Sequence, residues 1–139
     1  MEQYVLIYVG KEKYGIKISD INEIIKFITI IEIPNVSPFI EGVINLRGKI
    51  VPVINLSKRF DMEPTRSTKK TRIVVVQFQK EMIGIIVDEV SKVTLLENIE
   101  ETPDILPSET KKYFSGVANF DEQVIPILDI EEILRTGGE

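Results

Sequence analysis

Residues 42–56 and 116–130 of this 139-residue chain spell one pattern twice, as GVINLRGKIVPVINL and GVANFDEQVIPILDI. Gly42/Gly116, Val43/Val117, Asn45/Asn119 and Pro52/Pro126 recur at identical spacing, and the apolar positions after each proline match. The repeat extends upstream, where Tyr14–Ile24 aligns with Ile83–Val93 at an offset of 69 residues, against 74 in the later block. Five additional residues therefore separate the blocks in the second copy, and the proline-containing stretch Thr102–Ser108 is where they are expected. A repeat constrains a fold more tightly than any single element, because each copy must form one unit and the units must pack together.

Each copy reads mostly as strand. Tyr4–Val9 is a β-branched and aromatic run, followed by a glycine-and-charge turn at Gly10–Lys13 and a second run at Tyr14–Ile18. The counterpart is Ile73–Phe78, a turn at Gln79–Glu81, and Met82–Val87. These runs show too little alternation to face water on one side, so both hairpins are expected to be largely buried. Ser19–Ile24 reads as a short helical turn capped by Ser19, and Phe27–Ile33 as a further strand ending before Pro34. Ser37–Gly42 carries the cap, proline and glycine of a single helical turn. Val43–Leu46 and Lys49–Leu56 read as strands around an Arg47-Gly48 turn, with Pro52 expected at an edge or bulge. In the second copy a short helix is expected around Ser108–Phe114, and a C-terminal helix at Ile130–Leu134 that frays at Gly137-Gly138. Many short strands, repeated once, predict two small β-barrels packed together. A barrel of about 60 residues is marginal alone, so a shared interface core is expected.

Composition removes whole classes of chemistry. The chain has no cysteine and no histidine. Disulfides, thiol nucleophiles, Ser-His and Cys-His systems and most zinc or iron sites are thereby excluded, and no cofactor is expected. A net charge of −5 argues against a broad phosphate-binding face. The basic cluster Arg66–Arg72 lacks interleaved aromatics and reads as a solvated linker rather than a nucleic-acid site. No apolar run approaches a membrane span, and no export signal opens the chain, so a cytoplasmic location is the expectation. The acidic pairs Asp88-Glu89, Glu100-Glu101, Asp121-Glu122 and Glu131-Glu132 are sequence neighbours. Neighbours do not face each other on a strand or a helix, so none forms an acid/base dyad. Asn55 and Asp129 are equivalent in the two copies but lack the flanking residues of an aspartic-protease turn.

The segment Gly42–Leu56 resembles the signature G-V-x-N-L-R-G-x-[IV]-[IV]-P-[IV]-[IV]-[DN]-L of the CheW family, the coupling proteins of bacterial chemotaxis. Tyr14-Gly15-Ile16 leading into Ile21–Ile24, Pro38–Gly42, and Gly84–Asp88 leading into Val90 and Val93 support the resemblance, which runs from about Tyr4 to Leu134. It implies an all-β fold: two five-stranded SH3-like barrels around a shared hydrophobic interface, with short helices and a C-terminal helix. The chain is then one CheW-like domain over residues 1–139. Its pseudo-symmetric barrel cores fall at roughly 15–65 and 75–125, with the chain ends free to exchange strands between them. The resemblance also implies a non-catalytic adaptor joining the cytoplasmic tips of chemoreceptors to the histidine kinase CheA. In such arrays the adaptor contacts the kinase's CheW-like regulatory domain, and the two build ring-like assemblies. The same domain occurs within the kinase and in coupling proteins fused to a receiver domain; a stand-alone adaptor is favoured here. The alternative class is a cofactor-free enzyme or small-ligand binder using the cleft between the barrels.

Arg47 is the sharpest candidate, because the repeat keeps its strands but replaces Arg47-Gly48-Lys49 with Asp121-Glu122-Gln123. On the residues alone Arg47 reads as a solvent-facing arginine on a hairpin turn; the resemblance associates it with receptor coupling. Glu23 is its expected partner, since a planar guanidinium holds a carboxylate bidentately. Ile21, Ile24, Val74 and Val93 match the family's receptor-facing groove, against the commoner fate of such residues as plain core. Ile21 and Val93 are expected to be partly exposed, because each lies near the end of its repeated block.

Overall fold

The computed structural model describes residues 2–64 and 66–135; the expected fraying at Gly137-Gly138 lies outside them. The described chain is built from ten strands and three short helices. The first copy supplies β1 (Gln3–Val9), β2 (Glu12–Lys17), β3 (Ile21–Lys26), β4 (Ile40–Leu46), β5 (Lys49–Asn55) and α1 (Leu56–Arg59). The second supplies β6 (Arg72–Phe78), β7 (Glu81–Val87), β8 (Glu89–Leu95), α2 (Ser108–Lys111), β9 (Phe114–Phe120), β10 (Gln123–Leu128) and α3 (Ile130–Leu134).

Neither sheet is contiguous in sequence. One runs β8-β1-β2-β10-β9 and the other β3-β6-β7-β5-β4. Each barrel therefore takes its last three strands from one copy and its opening hairpin from the other. The span 15–65 holds β3, β4 and β5 but not β6 and β7 of that barrel, and 75–125 does not include β1 and β2 of the other, the hairpins that are exchanged. The exchanged hairpins join through parallel contacts at matching places, Val53↔Gly84 and Ile127↔Gly15. Pro52 and Pro126 immediately precede these contacts. Pro52 therefore lies in a strand paired on both sides, just before the parallel ladder begins, rather than at an edge.

The exchange creates three cores. Tyr4, Leu6, Ala118, Ile125 and Ile127 fill one barrel. Ile44, Leu46, Val51, Val53, Ile73 and Val75 fill the other. Between them lies the largest cluster, with Val5, Ile7, Val9 and Ile16 from one sheet facing Val74, Val76, Ile85 and Val87 from the other. Alternate residues of β1 and β6 thus serve a barrel interior and the interface, which is why these strands read as unbroken apolar runs. Burying each such side chain contributes about 1.5–3 kcal/mol, so the interface supplies stability that neither small barrel holds alone.

The repeated glycines mark where each barrel closes. After β3 the chain returns to β4, where Ile31 and Val43 exchange backbone hydrogen bonds of 2.8 and 2.9 Å; Glu100 and Val117 repeat this contact at 2.8 Å each way. A Cβ on Gly42 would fall 2.0 Å from the Ile31 carbonyl oxygen, and Gly42 has a φ of +145°. On Gly116 it would fall 2.8 Å from the Glu100 carbonyl oxygen. The five inserted residues lie between these closures, in the segment that holds α2.

Three local expectations change. The helical turn near Ser19 is a 3-10 turn at Ile18–Asp20, and Ile21–Lys26 is a strand, because β3 finds a ladder partner in β6. Phe27–Ile33 forms no strand beyond the bridge at Ile31. Residues 38–39 form a turn closed by Ile40 N–H donating to the Ser37 carbonyl at 2.9 Å, and β4 begins at Ile40. Asn55 and Asp129, the equivalent polar residues, are helix N-caps: Asn55 accepts from the backbone of Ser57 and Lys58, and Asp129 from that of Glu132.

Gly42→Ala is expected to lower unfolding stability in urea by about 3 kcal/mol, from backbone overlap and a disfavoured φ together. Glu122, held at a φ of +61°, is the converse case: Glu122→Gly is expected to raise stability by about 1 kcal/mol in the same assay.

Candidate protein-interaction site

Arg47 and Gly48 are the central residues of the β4–β5 hairpin, which Leu46 and Lys49 close. Their φ angles of +50° and +86° give the left-handed pair that a type I′ turn requires. The Asn45 side-chain oxygen accepts from the Gly48 N–H at 2.8 Å and fixes the turn. Arg47 consequently projects from the tip with 68% of its side chain exposed. Its Nη2 donates to Glu23 Oε1 on β3. Since β3 and β4 are opposite edges of the sheet, the ion pair spans the mouth of the closed barrel. The hydrogen bond to Glu23 and the attraction of its charge raise the arginine's pKa above its ordinary value. Exposed ion pairs contribute little to stability, so this one's significance lies in the surface it presents.

Glu23 and Ile24 point to opposite faces of β3. Glu23 stands opposite Val75, which fills the barrel, whereas Ile24 stands opposite Val74 of the interface core. Ile24 is 37% exposed, and its repeat equivalent Val93, opposite Val5 on β8, is 49% exposed. The interface core thus reaches solvent along both edge strands. Ile21 packs half-buried against the same core, as does its equivalent Val90. Val74 does not belong to this surface. It is fully buried, because β6 is covered by its own barrel on one face and by the neighbouring sheet on the other. The chain therefore brings Arg47 and Glu23 into contact and sets Ile21 and Ile24 along the same strand. Val93 occupies the matching place on β8.

Sequence reasoning missed a second charged end. The offsets of 69 and 74 residues make Lys92 the equivalent of Glu23, and Asp121 the equivalent of Arg47. Acid and base have changed places between the barrels. The Lys92 Nζ lies 5.0 Å from the centroid of the Phe120 ring, beside Asp121 at the hairpin tip. Ile50 and Val124, likewise equivalent, are 69% and 68% exposed. Reading both offsets together on the charged positions would have found the inversion.

A two-barrel fold with apolar edge strands and oppositely charged tips belongs to a protein-binding scaffold. The model of the CheW-like domain matches residues 3–137. The chain is 33% identical to the chemotaxis protein CheW of Klebsiella aerogenes, over 97% of this chain and 82% of that protein. It is 30% identical to CheW of Bacillus subtilis, over 96% of this chain and 86% of that protein. The crystal structure of the scaffolding protein TtCheW from Thermoanaerobacter tengcongensis superposes with a TM-score of 0.90 at 34% identity, covering 99% of this chain and 90% of that one. The chain belongs to the CheW-like family of chemotaxis coupling and scaffolding proteins, which are non-catalytic. No helix among the described residues is long and apolar enough to cross a membrane.

Arg47→Glu is expected to move the thermal midpoint by less than about 2 °C. Val74→Glu, which puts a carboxylate into the interface core, is expected to abolish the cooperative transition. Circular dichroism melts check both.

Proposed function

We propose that this chain couples the cytoplasmic tips of chemoreceptors to the histidine kinase CheA and so controls the kinase's autophosphorylation in cytoplasmic, membrane-associated arrays. The observation that carries the reading is the pair Ile24 and Val93: two exposed apolar residues at equivalent places on the edge strands beside the inter-barrel core, in a chain of the CheW-like family. A receptor tip in this family is a helical hairpin, and an amphipathic helix laid on an apolar groove is a recurring recognition mode. Ile21, Ile24 and Val93 supply the apolar anchors. The Arg47–Glu23 pair is the charged rim that sets the register of the helix. The kinase is engaged through its own CheW-like regulatory domain, on a separate surface, so that one adaptor holds both partners.

Purified chain is expected to co-sediment with receptor-tip fragments and with CheA. Ile24→Glu and Val93→Glu are expected to reduce receptor capture at least tenfold while melting cooperatively, and Arg47→Glu to weaken receptor-dependent kinase activation. A parent protein that captures neither partner refutes the coupling role, and full activation by Arg47→Glu refutes the rim assignment.

A further inference from the structure

Lysine and arginine are missing from two of the three long loops. Residues 27–39, which close the first barrel, contain none, and neither do residues 96–107, which close the second. The third loop, residues 61–71, joins the two copies and carries Arg66, Lys69 and Lys70, each of them exposed. Elsewhere among the described residues the basic side chains sit in strands, in short helices or at their ends, or in the tight turns of the hairpins.

This linker is anchored at both ends. The Met62 N–H donates to the Ser57 carbonyl at 2.8 Å, and Arg72 opens β6. Hydrogen bonds within residues 66–72 are local: the Thr68 N–H donates to Thr71 Oγ1 at 2.8 Å, the Lys70 N–H to Thr68 Oγ1 at 3.0 Å and Arg72 Nη1 to the Lys69 carbonyl at 2.8 Å. No backbone–backbone hydrogen bond involves Glu63, Pro64, Arg66 or Ser67 among the described residues. An endoprotease takes its substrate as an extended segment, and exposed backbone outside the sheets can be drawn out at least cost. The tight hairpin turns fail that requirement, because their strands are paired up to the turn.

We propose that Arg66–Lys70 is a processing site for an endoprotease that cuts after lysine or arginine, and that the cut leaves the scaffold assembled. Hydrolysis breaks one peptide C–N bond and consumes one water, whose oxygen enters the new carboxylate while the following residue gains an amine. The two fragments are not the two barrels. One keeps β1–β5 and α1, the other β6–β10, α2 and α3, so each barrel contains strands of both. The interface core is divided in the same way, with Val5 and Ile7 on one fragment and Val74 and Ile85 on the other. Helix α1 and its C-cap add two further ties. The Phe60 ring centroid lies 5.4 Å from Tyr113 and 6.2 Å from Phe114. The Arg59 Nε and Nη2 donate at 2.7 Å to the carbonyls of Ile133 and Arg135. A cut therefore removes connectivity without removing a contact of any core. The site shares no residue with the surface that carries Ile24, Val93, Arg47 and Glu23, so it stands or falls apart from the receptor-binding proposal.

The test is brief digestion of the folded full chain with trypsin. The first cut is expected after Arg66, Lys69 or Lys70, read from the new N-terminus by mass spectrometry, and at least tenfold faster than any other cut before Arg135. The cut protein is expected to elute from a size-exclusion column with the intact chain and to melt cooperatively. Its midpoint is expected to fall by about 4 °C for each tenfold dilution, because its unfolding has become a dissociation, whereas that of the intact chain stays constant. The triple variant Arg66→Gln, Lys69→Gln and Lys70→Gln, which alters only exposed side chains, is expected to melt as the parent does and to survive at least tenfold longer. A first cut elsewhere, or a triple variant digested at the parent's rate, refutes the site. Fragments that separate on the column, or a cut chain whose midpoint ignores dilution, refute the retained assembly.

Discussion

The apolar interface between the two sheets is the contact on which everything else depends. Val5, Ile7 and Val9 meet Val74, Val76, Ile85 and Val87 there, and every one of these is almost fully buried. Because each barrel borrows its first hairpin from the other copy, the interface cannot be opened without dismantling both barrels. A duplicated pair of independent domains could hinge; this pair shares strands. The crossing helices add to the lock, with Phe60 seated in one barrel, Leu134 packed against the other and Arg59 bonded to the end of α3.

That rigidity is what a coupling protein needs, since a scaffold transmits geometry rather than chemistry. The duplication supplies two equivalent hairpin tips and two equivalent edge strands, and divergence has made them different. Arg47 and Glu23 stand where the other barrel has Asp121 and Lys92, so acid and base have exchanged positions between the two ends. Complementary charge steers encounter and fixes register more than it adds affinity.

Much of this was legible in the chain. The repeat, its two offsets, the buried character of β1 and β6 and the C-terminal helix followed from period and spacing alone, because burial on both faces leaves a continuous apolar run. Arg47 stood out through the charge reversal between the copies and its turn glycine, whereas Glu23 was expected as its partner only once the family resemblance had been drawn. Val74 was not separable from Ile24, because an isoleucine and a valine on neighbouring strands look alike until their coverage is known. Phe27–Ile33 failed as a strand for a related reason: β propensity describes fit to a pleated surface, and this segment finds a partner only at Ile31.

The sequence by itself determined that one β unit is laid down twice, that no histidine or cysteine chemistry operates, and which family the chain resembles. Tertiary structure alone decided which copy's hairpin completes which barrel, since the strands of either copy carry the same apolar code and only non-local pairing chooses between them. It also decided the meaning of Gly42, where a passing carbonyl 2.0 Å from any Cβ makes glycine obligatory. Exposure at Ile24 and Val93 was settled the same way, because a residue's burial depends on what the rest of the chain places over it.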